Sequence, residues 1–197
     1  GSAYAVHGLP MIPFYIFYSM FGFQRVGDMI WSCGDMMCKG FLLGGTAGRT
    51  TLNGEGLQHQ DGHSHILAST VPNLRSYDPA FGFEIVALVR EGMHQMYELQ
   101  EDVFYYLTLY NENYPMPSLV EIAEQTEVDE GEVLQGVIDG GYCFYRGSDR
   151  TECSVHILAS GSIMQQALLA RDALEDLGVG VCIWSITSFV ELQRDAL

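Results

Sequence analysis

Between Gly48 and His65 the chain reads GRTTLNGEGLQHQDGHSH, with three histidines, a glutamate and an aspartate and almost no aliphatic residues. Apolar sequence flanks this run, FLLGG before it and ILASTV after it. Imidazoles and carboxylates at this density can ligate a metal, move protons or solvate a loop. His59, His63 and His65 with Glu55 and Asp61 are the ligand types of zinc or iron sites. Their spacing argues against a metal. His63 and His65 would point to opposite sides of an extended chain, and a one-turn His59/His63 pair needs a helix that starts before Asp61 and Gly62. Proton transfer asks less of the spacing, because a free imidazole titrates at roughly pH 6.5. A polar loop whose histidines are merely hydrogen-bonded is the plainer alternative, and the residues alone leave both readings standing.

What must position this run is the apolar sequence on either side. From Met11 to Lys39 the pattern is dense and aromatic; after the break at Pro13, apolar residues recur at helical spacing from Tyr15, with Gly40 as the C-terminal stop. FLLGG, ended by glycines, has the form of a buried parallel strand. In open parallel sheets ligands bind outside the carboxyl ends of the strands, where this loop emerges. A helix is expected from Gly62 or His63 to about Thr70. NLRSYDP reads as a strand ending at Tyr77, with Asp78 as N-cap and Pro79 at the first position of the helix AFGFEIVALVREGMHQMYE. DVFYYLTLY, Asp102 to Tyr110, is the next strand. Alternation of strand and helix predicts an α/β domain, a parallel sheet covered on both faces.

Order weakens between Ser118 and Asp149, where acidic sequence suggests a linker with a short strand or helix packed on the surface. SVHILASGS, IMQQALLARDALEDLG and VGVCIWSITSF then predict one βαβ unit, its helix stopping at Gly178. The Ser-Gly-Ser turn lacks the lysine and glycine pattern of a nucleotide loop. One βαβ unit buries too little for a full domain, so a truncated second α/β domain is expected.

The chain has 197 residues, 48% of them hydrophobic, enough for one domain or somewhat more. A formal net charge of −16, from 25 acidic and 9 basic residues, argues against nucleic acid or an anionic membrane surface as the partner. Five cysteines without a Cys-x-x-Cys pair suggest reduced thiols and a cytoplasmic protein, with Cys33 and Cys38 as small buried hydrophobes.

LPMIPFYIFYSMFGFQRVGD, GGTAGRTTLNGEGLQHQDGHSH, SYDPAFGFE, VFYYLTLYNENYPMP and WSITSFVELQRDAL resemble one family. It is the homodimeric first component of the bacterial pyruvate dehydrogenase complex, thiamine-diphosphate enzymes of the transketolase superfamily. The resemblance runs to about Pro117 and returns from Val155. It implies a pyrimidine-binding domain over residues 1–142 that lacks its N-terminal part, a linker at 143–154 and the start of a C-terminal transketolase-like domain at 155–197. It further implies an oxidoreductase that decarboxylates pyruvate on thiamine diphosphate and reductively acetylates the lipoyl group of the dihydrolipoyl acetyltransferase core. By the same resemblance His59 and Tyr18 are catalytic donors near the substrate adduct, Glu55 is an active-site carboxylate that helps orient them, and Phe21 stacks on the aminopyrimidine. No metal ligand falls among these residues; the magnesium and diphosphate site is expected in a domain absent from this chain. Taken alone, residues 1–197 are expected to be inactive. A non-catalytic dimerisation scaffold, or the same chemistry on another 2-oxo acid, is the alternative.

Overall fold

The computed structural model describes residues 6–9, 11–48, 56–147 and 155–197. The chain divides into two compact units, residues 1–78 with 89–112, and residues 79–88 with 113–197.

In the first unit, four strands form one parallel sheet: β1 (Phe14–Tyr18), β2 (Phe41–Gly45), β3 (Leu74–Tyr77) and β4 (Phe104–Thr108), in the order β1-β2-β4-β3. Helix α1 (Ser19–Asp35) connects β1 to β2, and the short α2 (Ser64–Ala68) precedes β3. Strand β4, FYYLT, is buried along its whole length, as expected of a strand covered on both faces. Its Phe104, Tyr105, Tyr106 and Leu107 pack with Phe41 and Leu74 in the core; full burial of each such side chain contributes about 1.5–3 kcal/mol. The register pairs Tyr18 with Gly45, Gly44 with Thr108, and Tyr77 with Leu107. These residues mark the carboxyl edge of the sheet, and the polar run leaves from it.

Two local expectations fail in this unit. The stretch from Tyr15 is not helical at its start, since Phe14–Tyr18 is strand β1 and the helix begins at Ser19. Short aromatic and branched runs suit either period, and pairing with β2 decides for the strand. Nor does Gly40 end the helix. Helix α1 stops at Asp35, and Met37 takes the left-handed conformation at φ +53°, a position that methionine does not advertise.

In the second unit, β5 (Tyr142–Arg146), β6 (Val155–Ala159) and β7 (Val181–Ser185) form a sheet of order β5-β7-β6. Strands β6 and β7 are parallel, whereas β5 is antiparallel to β7. Helix α3 (Gly82–Met93) does not start at Pro79. Asp78 is not its cap: the Asp78 carboxylate accepts hydrogen bonds from the Thr108 and Tyr110 hydroxyls. The N–H groups of Ala80 and Phe81 donate to Glu84 instead, at 2.5 and 3.0 Å.

The acidic stretch folds into α4 (Leu119–Thr126) and α5 (Glu130–Asp139). Ser118 and Glu121 form a capping box, Asp129 caps α5, and Ile122, Val133 and Val137 are buried. Where the sequence suggests a linker from residue 143, β5 is a strand whose first three residues are buried. Helices α6 (Met164–Glu175) and α7 (Phe189–Asp195) complete the unit. Among the described cysteines Cys33, Cys38 and Cys143 are free thiols, and Cys182 on β7 is disulfide-bonded, a departure from the expected all-reduced set.

Candidate functional site

Three of the four residues singled out in the sequence meet at the carboxyl edge of the first sheet. Tyr18 is the last residue of β1, Phe21 lies in the first turn of α1, and His59 closes the 3-10 turn Leu57–His59. The His59 ring lies 5.3 Å from the Tyr18 ring at 64° and 5.3 Å from the Phe21 ring at 73°, both edge-on. Tyr18 and Phe21 are themselves 5.8 Å apart. Aromatic rings at these distances and tilts attract through their quadrupoles, so the trio is a packed cluster. All three residues are half-buried. Gly22 makes room for the start of α1, since a Cβ there would come within 1.9 Å of the Phe17 ring. The guanidinium of Arg25 sits 4.0 Å from the centroid of Phe21, a cation–π contact one turn along the helix.

The segment carrying His59 is anchored by a residue to which the sequence assigned no role. Asp61 is buried, and its carboxylate accepts from the Ser19 hydroxyl and from the N–H groups of His63 and Ser64, both at 3.1 Å. The Ser64 hydroxyl in turn donates to the carbonyl of Ser19 at 3.2 Å, tying α2 to the start of α1. Burial pushes the Asp61 carboxyl up, but donors from Ser19, Ser64 and the His63 backbone outweigh it and hold its pKa below the ordinary value. Stability from this group is therefore present above the unfolded pKa, about 3.9, and is lost as pH falls through the lower folded value. Asp61→Ala strips three donors of their acceptor and is expected to reduce unfolding free energy by about 1–3 kcal/mol. Urea titration checks this, and a loss below about 0.5 kcal/mol, the level of an inert surface change, counts against the anchor.

Behind the anchor, Tyr106 Oη lies 3.3 Å from Ser19 Oγ, and burial raises that phenol far above its usual range. His65 is not a loop ornament: its Nε2 is 3.1 Å from Thr108 Oγ1, and its ring packs 5.3 Å from Tyr106. His63 has an exposed side chain. Glu55 lies outside the described residues. Among the described residues no group of three or more His, Cys, Asp or Glu side chains is arranged to hold a metal ion.

A parallel sheet between helices, followed by a mixed second sheet, is the architecture of a transketolase-like α/β protein. The transketolase of Campylobacter jejuni superposes with a TM-score of 0.73 at 20% identity, over 98% of this chain and 27% of that one. The transketolase of Leishmania mexicana gives 0.71 at 19% identity, over 95% and 24%. In sequence, the family described as "Pyruvate dehydrogenase E1 component middle domain" matches residues 1–117, and "Transketolase-like TK C-terminal domain" matches residues 140–196. The pyruvate dehydrogenase E1 component of Pseudomonas aeruginosa is 50% identical over 198 residues, 100% of this chain and 21% of that protein. That of Escherichia coli is 50% identical over 196 residues, 98% and 21%. That of Mycolicibacterium smegmatis is 49% identical over 199 residues, 100% and 20%. The chain belongs to the pyruvate dehydrogenase E1 component family, and it spans about a fifth of the length of these curated relatives.

Proposed function

We propose that these residues are part of a homodimeric pyruvate dehydrogenase first component, acting on pyruvate and passing the acetyl group to the lipoyl group of a dihydrolipoyl acetyltransferase core. The observation that carries this reading is the Tyr18, Phe21 and His59 cluster, joined to the family membership of the chain. Residues 1–142 are read as the pyrimidine-binding domain and residues 155–197 as the opening of the C-terminal domain. The enzyme is read as cytoplasmic. Magnesium and the cofactor's diphosphate are assigned to residues beyond this set.

When bound, thiamine diphosphate supplies the electron sink on which a 2-oxo acid loses carbon dioxide. The cluster suits such a group in kind, because it joins apolar ring faces to two polar edges, the Tyr18 hydroxyl and the His59 imidazole. Phe21 takes the role of a stacking surface for a flat heteroaromatic ring, and Arg25 backs it through the cation–π contact. Tyr18 and His59 donate hydrogen bonds to the substrate's oxygens, where negative charge develops. Glu55 is assigned the orientation of these donors. Asp61 holds the chain two residues beyond His59 and so fixes where that imidazole is offered.

The complete protein, given thiamine diphosphate, magnesium and pyruvate, is expected to release carbon dioxide, and faster than from 2-oxo acids with longer side chains. In the same preparation Phe21→Ala is expected to weaken cofactor binding by about two- to twelvefold, the loss of one offset stack of about 0.5–1.5 kcal/mol. Tryptophan fluorescence during cofactor titration reads the affinity. Absence of pyruvate turnover in the wild type sinks the functional reading, and an unchanged affinity in the variant sinks the role of Phe21.

A further inference from the structure

Helix α1 ends in a way that places two thiols together. The N–H of Cys38 donates to the carbonyl of Cys33 at 2.9 Å, and that of Met37 to the carbonyl of Gly34 at 3.0 Å, with Met37 left-handed between them. This is the Schellman arrangement, in which the residue at the start of the last turn and the residue two past the cap come side by side, ordinarily as an apolar contact. Here both positions are cysteine. The two thiols are free, and the Cys38 N–H to Cys33 carbonyl bond brings their residues side by side. Both line one cavity of about 440 Å³, whose wall includes Met29, Ile30, Met36 and Phe41. Cys33 is half-buried, whereas Cys38 is only 5% exposed.

We propose that Cys33 and Cys38 form a dithiol modification site that closes to an intrachain disulfide by exchange with a low-molecular-weight disulfide. The reaction needs no further reagent. The Cys33 thiolate, the more accessible of the pair, attacks one sulfur of the small disulfide and expels the other half as a thiolate. Cys38 then attacks the Cys33 side of the mixed disulfide and expels the second half. Two cysteine thiols are oxidised, one small disulfide is reduced to two thiols, and the two cysteine protons pass to the departing thiolates. Cross-linking requires Cα atoms about 4.4–6.8 Å apart, and the hydrogen bond joining the peptide groups of these two residues keeps their backbones in that reach. Burial, and then the adjacent Cys38, raise the pKa of Cys33, so the reduced pair rests as uncharged packing until a disulfide oxidant accumulates.

The test uses the complete protein under native conditions. It is incubated with oxidised glutathione, remaining thiols are alkylated, and peptides are mapped by mass spectrometry. The expected product is a Cys33–Cys38 cross-link carrying no glutathione, reversed by excess dithiothreitol; Cys38→Ser is expected to stop at a glutathione adduct on Cys33. Recovery of both residues as free thiols, or with one glutathione on each, overturns the proposal. A second measurement needs no variant. Phenylarsine oxide, which bridges paired thiols, is expected to bind the reduced wild type with both peptides on one arsenic, and failure to bridge them overturns the proposal equally.

Discussion

His59→Ala in the complete enzyme is expected to lower kcat on pyruvate by about 10²–10³-fold, the usual effect of removing one pre-positioned donor from a site where charge develops. The imidazole is offered on a rigid mount. The backbone N–H of His59 closes the short turn by donating to the carbonyl of Gly56 at 3.2 Å, and the His59 ring is wedged edge-on against Tyr18 and Phe21. Two residues on, Asp61 fastens the chain to α1 and α2. A donor so held gives up little freedom when the substrate arrives. Because it is proposed to act on charge that forms during reaction, kcat and kcat/KM are expected to fall together. A residue that served only packing would shift the unfolding midpoint instead, and for a half-buried ring outside the sheet that shift is expected to be small. His59→Gln, which keeps a donor of similar reach, is expected to recover part of the rate. If the alanine variant decarboxylates pyruvate at the wild-type rate, the imidazole has no part in the chemistry.

How far this site was legible depends on the range of the interactions that build it. The strands β2, β3 and β4 and the helix α3 carry their signal locally, in apolar runs bounded by glycine, proline or polar residues. The Ser118–Glu121 capping box is equally local, but it went unread because acidic composition pointed to a linker with no more than a short strand or helix, where α4 and α5 stand. The polar run announced itself by its histidines, but periodicity made Tyr18 and Phe21 look like core aromatics, and only the family resemblance set them apart. Asp61 stood out only as one carboxylate of the polar run, and although it also caps the nearby N–H groups of His63 and Ser64, its role as an anchor was not visible. Its meaning comes from Ser19, 42 residues away, and appears only once the sheet has brought the two together. The start of α3 shows the opposite error. Asp78-Pro79 is a good local cap, yet hydroxyls from Thr108 and Tyr110, 30 and 32 residues away, claim the Asp78 carboxylate first. Local propensity of a few tenths to about 1–2 kcal/mol gives way to such tertiary demands.

Glu84→Ala is expected to reduce unfolding free energy by at least about 3 kcal/mol, the largest stability loss of any single substitution considered for this chain. Glu84 is fully buried at the start of α3 and accepts four hydrogen bonds. Its Oε2 takes the N–H groups of Ala80 and Phe81, and its Oε1 takes the hydroxyls of Tyr142 and Ser185, each at 2.7 Å. One side-chain carboxyl group thus ties the first turn of a helix to strands β5 and β7, the latter 101 residues away. Alanine orphans four buried donors and leaves a cavity as well. Glu84→Gln is expected to cost less, about 1 kcal/mol, because its oxygen can face the two N–H groups while its amide donates to the two hydroxyl oxygens. The pair of variants also separates charge from connectivity. Burial raises the Glu84 carboxyl above its ordinary pKa of 4.5, with the four donors opposing but not cancelling it. The folded state therefore holds a proton that the unfolded chain has lost once pH passes about 4.5. With more protons bound folded than unfolded, this group's contribution falls as pH rises from there and levels off only above the folded pKa. Urea titrations between pH 4 and 8 are expected to show the wild type losing stability relative to Glu84→Gln across that window. Parallel pH profiles for the two proteins mean that the buried carboxyl is ionised at its ordinary pKa, and an alanine variant as stable as the wild type means that the four hydrogen bonds do not hold the unit together.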